Sequence, residues 1–180
     1  MSKILVVTMG GTIDAEAYQE TPQDIVQLKE SVIPDVLDEL GLRDKCDVQA
    51  HGSGDSKYFQ AGYADILAKR IEQQPQNKVI VTHGTDRLPE FARDLQVALK
   101  DSDKVVLVTG AMIPLMNEIV GYGKSDGYGN LSFAFEQVEK LESGVHIAFH
   151  DKIFDPARTK KDFEAKKFVE LDKPIDGFGR

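Results

Sequence analysis

The fold of this chain turns on KILVVTMGGTID, residues 3–14. From Ile4 to Val7 every side chain is apolar and most are β-branched, and the run ends after Thr8. It is too short for a helix and too uniformly apolar for a strand wet on one side. It therefore reads as a strand covered on both faces. The chain then breaks on Gly10-Gly11, and glycines after a parallel strand let the backbone approach a ligand closely. Thr12, directly behind them, is either part of a phosphate cradle or a hydroxyl stationed to attack.

Working outward, the same pattern returns. Residues 79–81, 105–108 and 145–149 are short Val/Ile-rich runs, and residues 46–51 form a weaker one. Helical periodicities lie between them. Val32, Val36, Leu37 and Leu40 share a face, with Ser31 as N-cap and Gly41 just past the end. Tyr63, Ile66, Leu67 and Ile71 form a second face, closed by Pro75, and Phe91, Leu95, Ala98 and Leu99 a third, after Pro89. Leu131, Ala134, Val138 and Leu141 form a fourth, ended by Gly144. This alternation predicts an α/β fold: one three-layer domain over residues 1–180, a mostly parallel sheet with helices on both faces. A ligand site then belongs at the C-terminal ends of the strands. Residues 9–24, and residues 110–129 with their five glycines, follow strands and resist assignment, so both are candidate lids.

Composition narrows the partners. A net charge of −8 argues against nucleic acid or an anionic membrane, and 41 % hydrophobic content is ordinary for a globular domain. Cys46 is the single cysteine, so no intrachain disulfide forms and a reducing cytoplasm is expected, with the thiol in a structural role. No apolar stretch approaches the roughly 20 residues of a membrane helix. The N-terminal run ends on glycines and reads as a core strand, not a signal peptide.

Three strand ends carry the chemistry: MGGTID, THGTD and TGAMIP. In a parallel sheet these turns share one edge, where Thr12, Thr85, Asp86 and the backbone at Ala111 converge. Neither G-x-G-x-x-G nor G-x-x-x-x-G-K-[ST] is present, which weakens the phosphate reading. A threonine hydroxyl needs a neighbouring base or cation to attack. Thr85 with Asp86 beside it, and a lysine held by that carboxylate, would supply one, and glycine-turn N–H groups would steady an oxyanion. The constellation suits acyl transfer from an amide or ester. Taken singly, Asp86 reads equally as a cap for a helix starting near Leu88, and the basic run 158–161 as a solvated face. His146 and His150 would lie ~13 Å apart along a strand at about 3.3 Å per residue, so they read as buried or capping groups.

MGGTID, Asp55-Ser56, THGTD, TGAMIP followed by SDGYGNL, and HDKIFDPARTKK stand in the order seen in bacterial-type L-asparaginases, over roughly residues 4–161. The chain resembles that family. The resemblance implies that Thr12 is the nucleophile, that Thr85, Asp86 and Lys161 (with Lys160 adjacent) form the activating set, and that Tyr18 is the lid tyrosine. It also implies that Asp55, Ser56 and Asp86 hold the substrate's α-carboxylate and α-amino ends, and that Ala111 offers a backbone contact to the leaving amide. No metal or organic cofactor is implied. The expected ligands are asparagine and its product aspartate, and the expected assembly is a homodimer or larger.

Some residues depart from the family pattern. Met9 stands where threonine is usual, and Arg87 where a small or polar residue is commoner. Most members carry a second, C-terminal domain that contributes to a neighbouring subunit's site. Residues 163–180 resemble no start of such a domain, so a natural single-domain form with looser head-group recognition is expected. Glutamine's longer side chain would still misplace its amide, and about 1 Å of misplacement costs about 100-fold in rate. The rival readings are a broader amidase or esterase, and a catalytically silent amino-acid-binding or sensing module.

Overall fold

The structure is a computed structural model describing residues 2–20, 22–52, 54 and 62–175. Strand β1 (Ile4–Thr8) is the second strand of a six-stranded sheet, flanked by β2 (Cys46–Ala50) and β3 (Lys78–Thr82). Beyond β3 come β4 (Val105–Thr109), β5 (Gly144–Phe149) and β6 (Lys152–Phe154). The first five run parallel and β6 turns back antiparallel on β5. Val6 lies beside Val48 on one side and Ile80 on the other.

The two-residue period of the strands sends their apolar side chains into two cores. Leu5, Val7, Val79, Val81, Val106 and Val108 pack with α2 (Tyr63–Glu72) and α3 (Leu88–Ala98). Ile4, Val6, Ile80 and Leu107 pack on the other side with α1 (Ile33–Glu39) and α5 (Gly127–Gln137). The sheet is thus sandwiched between helices, a three-layer α/β fold. Edge strand β2 is only half-buried, which is why its sequence signal is weak; Cys46 at its start is fully buried, its thiol facing the Leu42 and Arg43 carbonyls.

Helix α1 ends as its sequence predicts but starts one residue later. Val32, not Ser31, is the N-cap; Ser31 lies one residue outside it, and its Oγ accepts from Ile33 N, the first helical N–H, at 3.2 Å. Gly41, at φ 67°, closes a Schellman end in which Leu42 N–H reaches Leu37 O at 2.8 Å. Ile66 departs from expectation: it is exposed, and Ala64 and Ala68 complete the buried face of α2 instead. Helix α5 starts at Gly127 and ends at Gln137, leaving Leu141 beyond it.

The segments without sequence assignment do contain structure. Residues 9–24 hold a 3-10 turn, Thr12–Asp14, and an isolated bridge from Ala15 to Gln27. Residues 110–129 hold a short helix α4 (Leu115–Ile119) and the first residues of α5. Past β6 the chain forms a separate hairpin, β7 (Thr159–Asp162) with β8 (Lys167–Glu170). Phe168 pins this hairpin to the core, with its ring 4.6 Å from Phe149 and 6.4 Å from Phe154. No helix among the described residues is long and apolar enough to cross a membrane.

Candidate active site

Three turns at the C-terminal ends of β1, β3 and β4 touch backbone to backbone, and glycines make this possible. A Cβ on Gly11 would fall 2.3 Å from Gly84 Cα, and one on Gly110 would fall 2.4 Å from His83 O. Gly11 also has φ 84°, a left-handed conformation that side chains disfavour. Thr12 and Thr85 stand directly behind these contacts and are both buried. Met9 is buried in the core, away from the cavity.

Polar side chains lock each turn. Gln27 Oε1 accepts Gly11 N–H at 2.8 Å. Asp14 is buried, and its Oδ1 accepts Val32 N–H at 2.9 Å, tying the first turn to the start of α1; burial pushes its carboxyl up while Ser31 and Val32 pull it back. The third turn hangs on Asp126, whose Oδ1 accepts from Met112 N at 3.0 Å and Ile113 N at 2.9 Å. Asn130, one helical turn on, donates to Gly110 O at 2.9 Å, and His150 Nε2 meets Asp126 Oδ2 at 2.9 Å. His83 is fully buried, stacked on Phe91 with ring centroids 4.2 Å apart, and burial lowers its pKa to about 4.

Lys161 comes from the hairpin. Its Nζ donates to Thr85 Oγ1 at 2.8 Å and to Asp86 Oδ1 at 2.5 Å. Strand alternation puts Lys161 opposite Phe168 on the inward side and leaves Lys160 exposed. The hairpin is held by α3: buried Arg93 donates from Nη1 to Pro156 O at 3.1 Å and Thr159 O at 2.8 Å. One helix therefore carries Thr85-Asp86 at its N-terminal side and anchors the strand that brings Lys161 to them. Asp86 makes no capping hydrogen bond to that helix; Arg87 takes the flanking position and is exposed.

These groups line a cavity of about 220 Å³ with Tyr18, Met112, Phe163 and Lys166 among its other walls. Tyr18 is fixed through its backbone: its N–H donates to Asn117 Oδ1 at 3.0 Å, and its carbonyl accepts from Asn117 Nδ2 at 2.8 Å. Burial, then the charges of Asp126 and Asp86, push its phenol above the usual value, so it stays protonated at neutral pH. Ala111 is not in the wall; its side chain is in the core beneath the sheet edge, and its neighbour Met112 faces the cavity. Asp55 and Ser56 lie outside the described residues. A larger cavity, about 730 Å³, opens near Lys3, Leu42 and Phe135, and none of the strand-end residues borders it.

The family model for the N-terminal region of asparaginase matches residues 3–174. The chain belongs to the asparaginase family. A curated L-asparaginase from Thermococcus kodakarensis is 31 % identical over 83 residues, covering 46 % of this chain and 24 % of that protein. Among solved structures, the thermostable L-asparaginase of Thermococcus kodakarensis matches with a TM-score of 0.75 at 23 % identity, over 99 % of this chain and 54 % of that one. The probable cytoplasmic L-asparaginase of Campylobacter jejuni matches at 0.75 and 27 %, over 99 % and 56 %. L-asparaginase I of Vibrio cholerae matches at 0.74 and 22 %, over 97 % and 53 %; at 22–23 % identity the likeness concerns the fold alone. The chain spans about half the length of these solved relatives.

Within this asparaginase domain, the residues that hold the turns have no local signature. SDGYGNL belongs to the family resemblance, but nothing in its pattern shows that Asp126, flanking α5, and Asn130, one turn into it, clamp the third turn. Gln27, Asn117 and Arg93 act across 16, 99 and 63 or more residues of sequence and leave no local pattern.

Proposed function

We propose that this chain is a cytoplasmic L-asparaginase, hydrolysing L-asparagine to L-aspartate and ammonia through Thr12. The observation that carries this reading is the contact of Lys161 with both Thr85 and Asp86 on a cavity that Thr12 also lines. Thr12 Oγ1 bonds to the side-chain amide carbon, the C–N bond breaks, and the hydroxyl's proton leaves with the nitrogen as ammonia. Water then adds to the acyl carbon, and its proton returns to Thr12 as the ester bond breaks. Thr85, positioned by Lys161, and the protonated Tyr18 phenol relay these protons, while N–H groups of the glycine turns steady the oxyanion. Asp86 and the block at Asp55 and Ser56 hold the amino-acid head group, and the backbone beside Ala111 meets the leaving amide. The volume, below the roughly 300 Å³ of drug-sized pockets, supports an amino-acid-sized substrate. A homo-oligomer is part of this reading, by analogy with the family.

The decisive assay is ammonia release from millimolar asparagine by the intact protein beside Thr12→Ala and Thr85→Ala. Turnover lost by at least about 100-fold in both, with circular dichroism unchanged, is the expected result. Wild-type protein that binds aspartate without turnover would replace the hydrolase with a silent amino-acid-binding module.

A further inference from the structure

The third turn is gripped from a strand that does not border the cavity. Asp126 is the hub of this grip. Its Oδ1 accepts from Met112 N and Ile113 N, and its Oδ2 accepts from Met112 N at 3.0 Å and Asn130 Nδ2 at 3.2 Å. His150 meets this clamp twice. Its Nε2 lies 2.9 Å from Asp126 Oδ2, and its backbone N–H donates to Asn130 Oδ1 at 2.9 Å. A carboxylate only accepts, so Nε2 carries the proton in this contact. Asn130 in turn holds Gly110 O, so both ends of the turn that contains Ala111 are tied to His150 through one intermediary. The imidazole is steadied by Phe149, with ring centroids 4.4 Å apart. His150, Asp126 and Asn130 are not among the cavity's described walls, whereas Met112 is, so any influence of His150 on the reaction passes through the turn.

The local backbone gives a second reason to single out His150. His150 and Asp151 are the two residues joining β5 to β6, at φ 47° and 59°. A two-residue turn with both positions left-handed favours Asn-Gly or Asp-Gly. A histidine therefore stands where turn chemistry prefers asparagine, and such local conflicts concentrate at functional positions. What histidine adds is reach. An asparagine amide ends at the level of Nδ1, whereas the contact with Asp126 is made by Nε2, at the far side of the ring.

We propose that His150 is a positioning residue for departure of the amide nitrogen: through Asp126 and Asn130 it fixes the turn whose backbone, beside Ala111, meets the leaving group. The inference rests on the asparaginase reading of the cavity and adds a residue to its machinery. The test compares kcat/KM for asparagine and for β-aspartyl hydroxamate on the intact protein, a quantity that covers the acylation half in which the nitrogen leaves. Hydroxylamine is a weaker base than ammonia and needs less help to depart. His150→Asn suits the left-handed turn and is expected to hold or raise the melting temperature. It is nevertheless expected to lower kcat/KM about tenfold for asparagine and less than about twofold for the hydroxamate, a split that a merely structural histidine would not give. His150→Gln, whose Nε2 reaches about as far as the imidazole's, is expected to recover most of the loss. Equal losses on the two substrates, no loss in His150→Asn, or no recovery in His150→Gln overturn the assignment of His150 and leave the hydrolase standing. A wild type that turns over neither substrate overturns the asparaginase reading and His150 with it.

Discussion

At Gly11 the smallest side chain is a geometric requirement. Its hydrogen occupies the space in which any β-carbon would overlap Gly84 Cα, and both neighbours are main chain that cannot swing aside. Gly11→Ala should therefore separate the first two turns and destabilise the fold by about 3 kcal/mol or more, through overlap added to left-handed strain. Urea denaturation checks this, with Gly129→Ala as the contrast. Gly129 is inside α5 with nothing within 4 Å of its would-be Cβ, and that change should stabilise by about 0.5–1 kcal/mol.

Among the elements, the β7–β8 hairpin supplies Lys161 to the site, yet its sequence reveals it least. TKKD and KFVE are charged, short and outside the βα alternation, so neither periodicity nor composition marks them as strands. The central strands were legible because burial on both faces makes them uniformly apolar. The first and second turns were legible because Gly-Gly-Thr and Gly-Thr-Asp each follow an apolar strand and stand in order with the other blocks of the family; taken singly neither decides a role. What the sequence could not display is the join between them. Arg93 makes it, and Arg93→Met would strip the donor from two buried carbonyls, at about 1–3 kcal/mol each. Under the proposed function kcat should fall by more than KM rises, because Lys161 loses its register while the rest of the cavity keeps its shape. Steady-state kinetics on asparagine reads this directly, and Arg93→Lys should recover part of the loss.

For the whole molecule, pH acts through a histidine far from solvent. His83 stays neutral in the fold down to about pH 4, whereas the unfolded chain takes up that proton near 6.5. The His83 contribution is complete above pH 6.5 and is lost as pH falls toward 4, because only the unfolded chain gains a proton in that window. Between pH 7 and 5 the loss is about 2 kcal/mol. Denaturant titrations at those two pH values test it, and His83→Gln should flatten the difference.

The hairpin that delivers Lys161 shares no strand ladder with the six-stranded sheet and is held on by Arg93 and Phe168. Under the proposed function, warming is expected to release the lysine's mount while the helices and central strands are still intact, so asparagine turnover should fade below the melting temperature read by circular dichroism and return on cooling as a single hairpin re-docks.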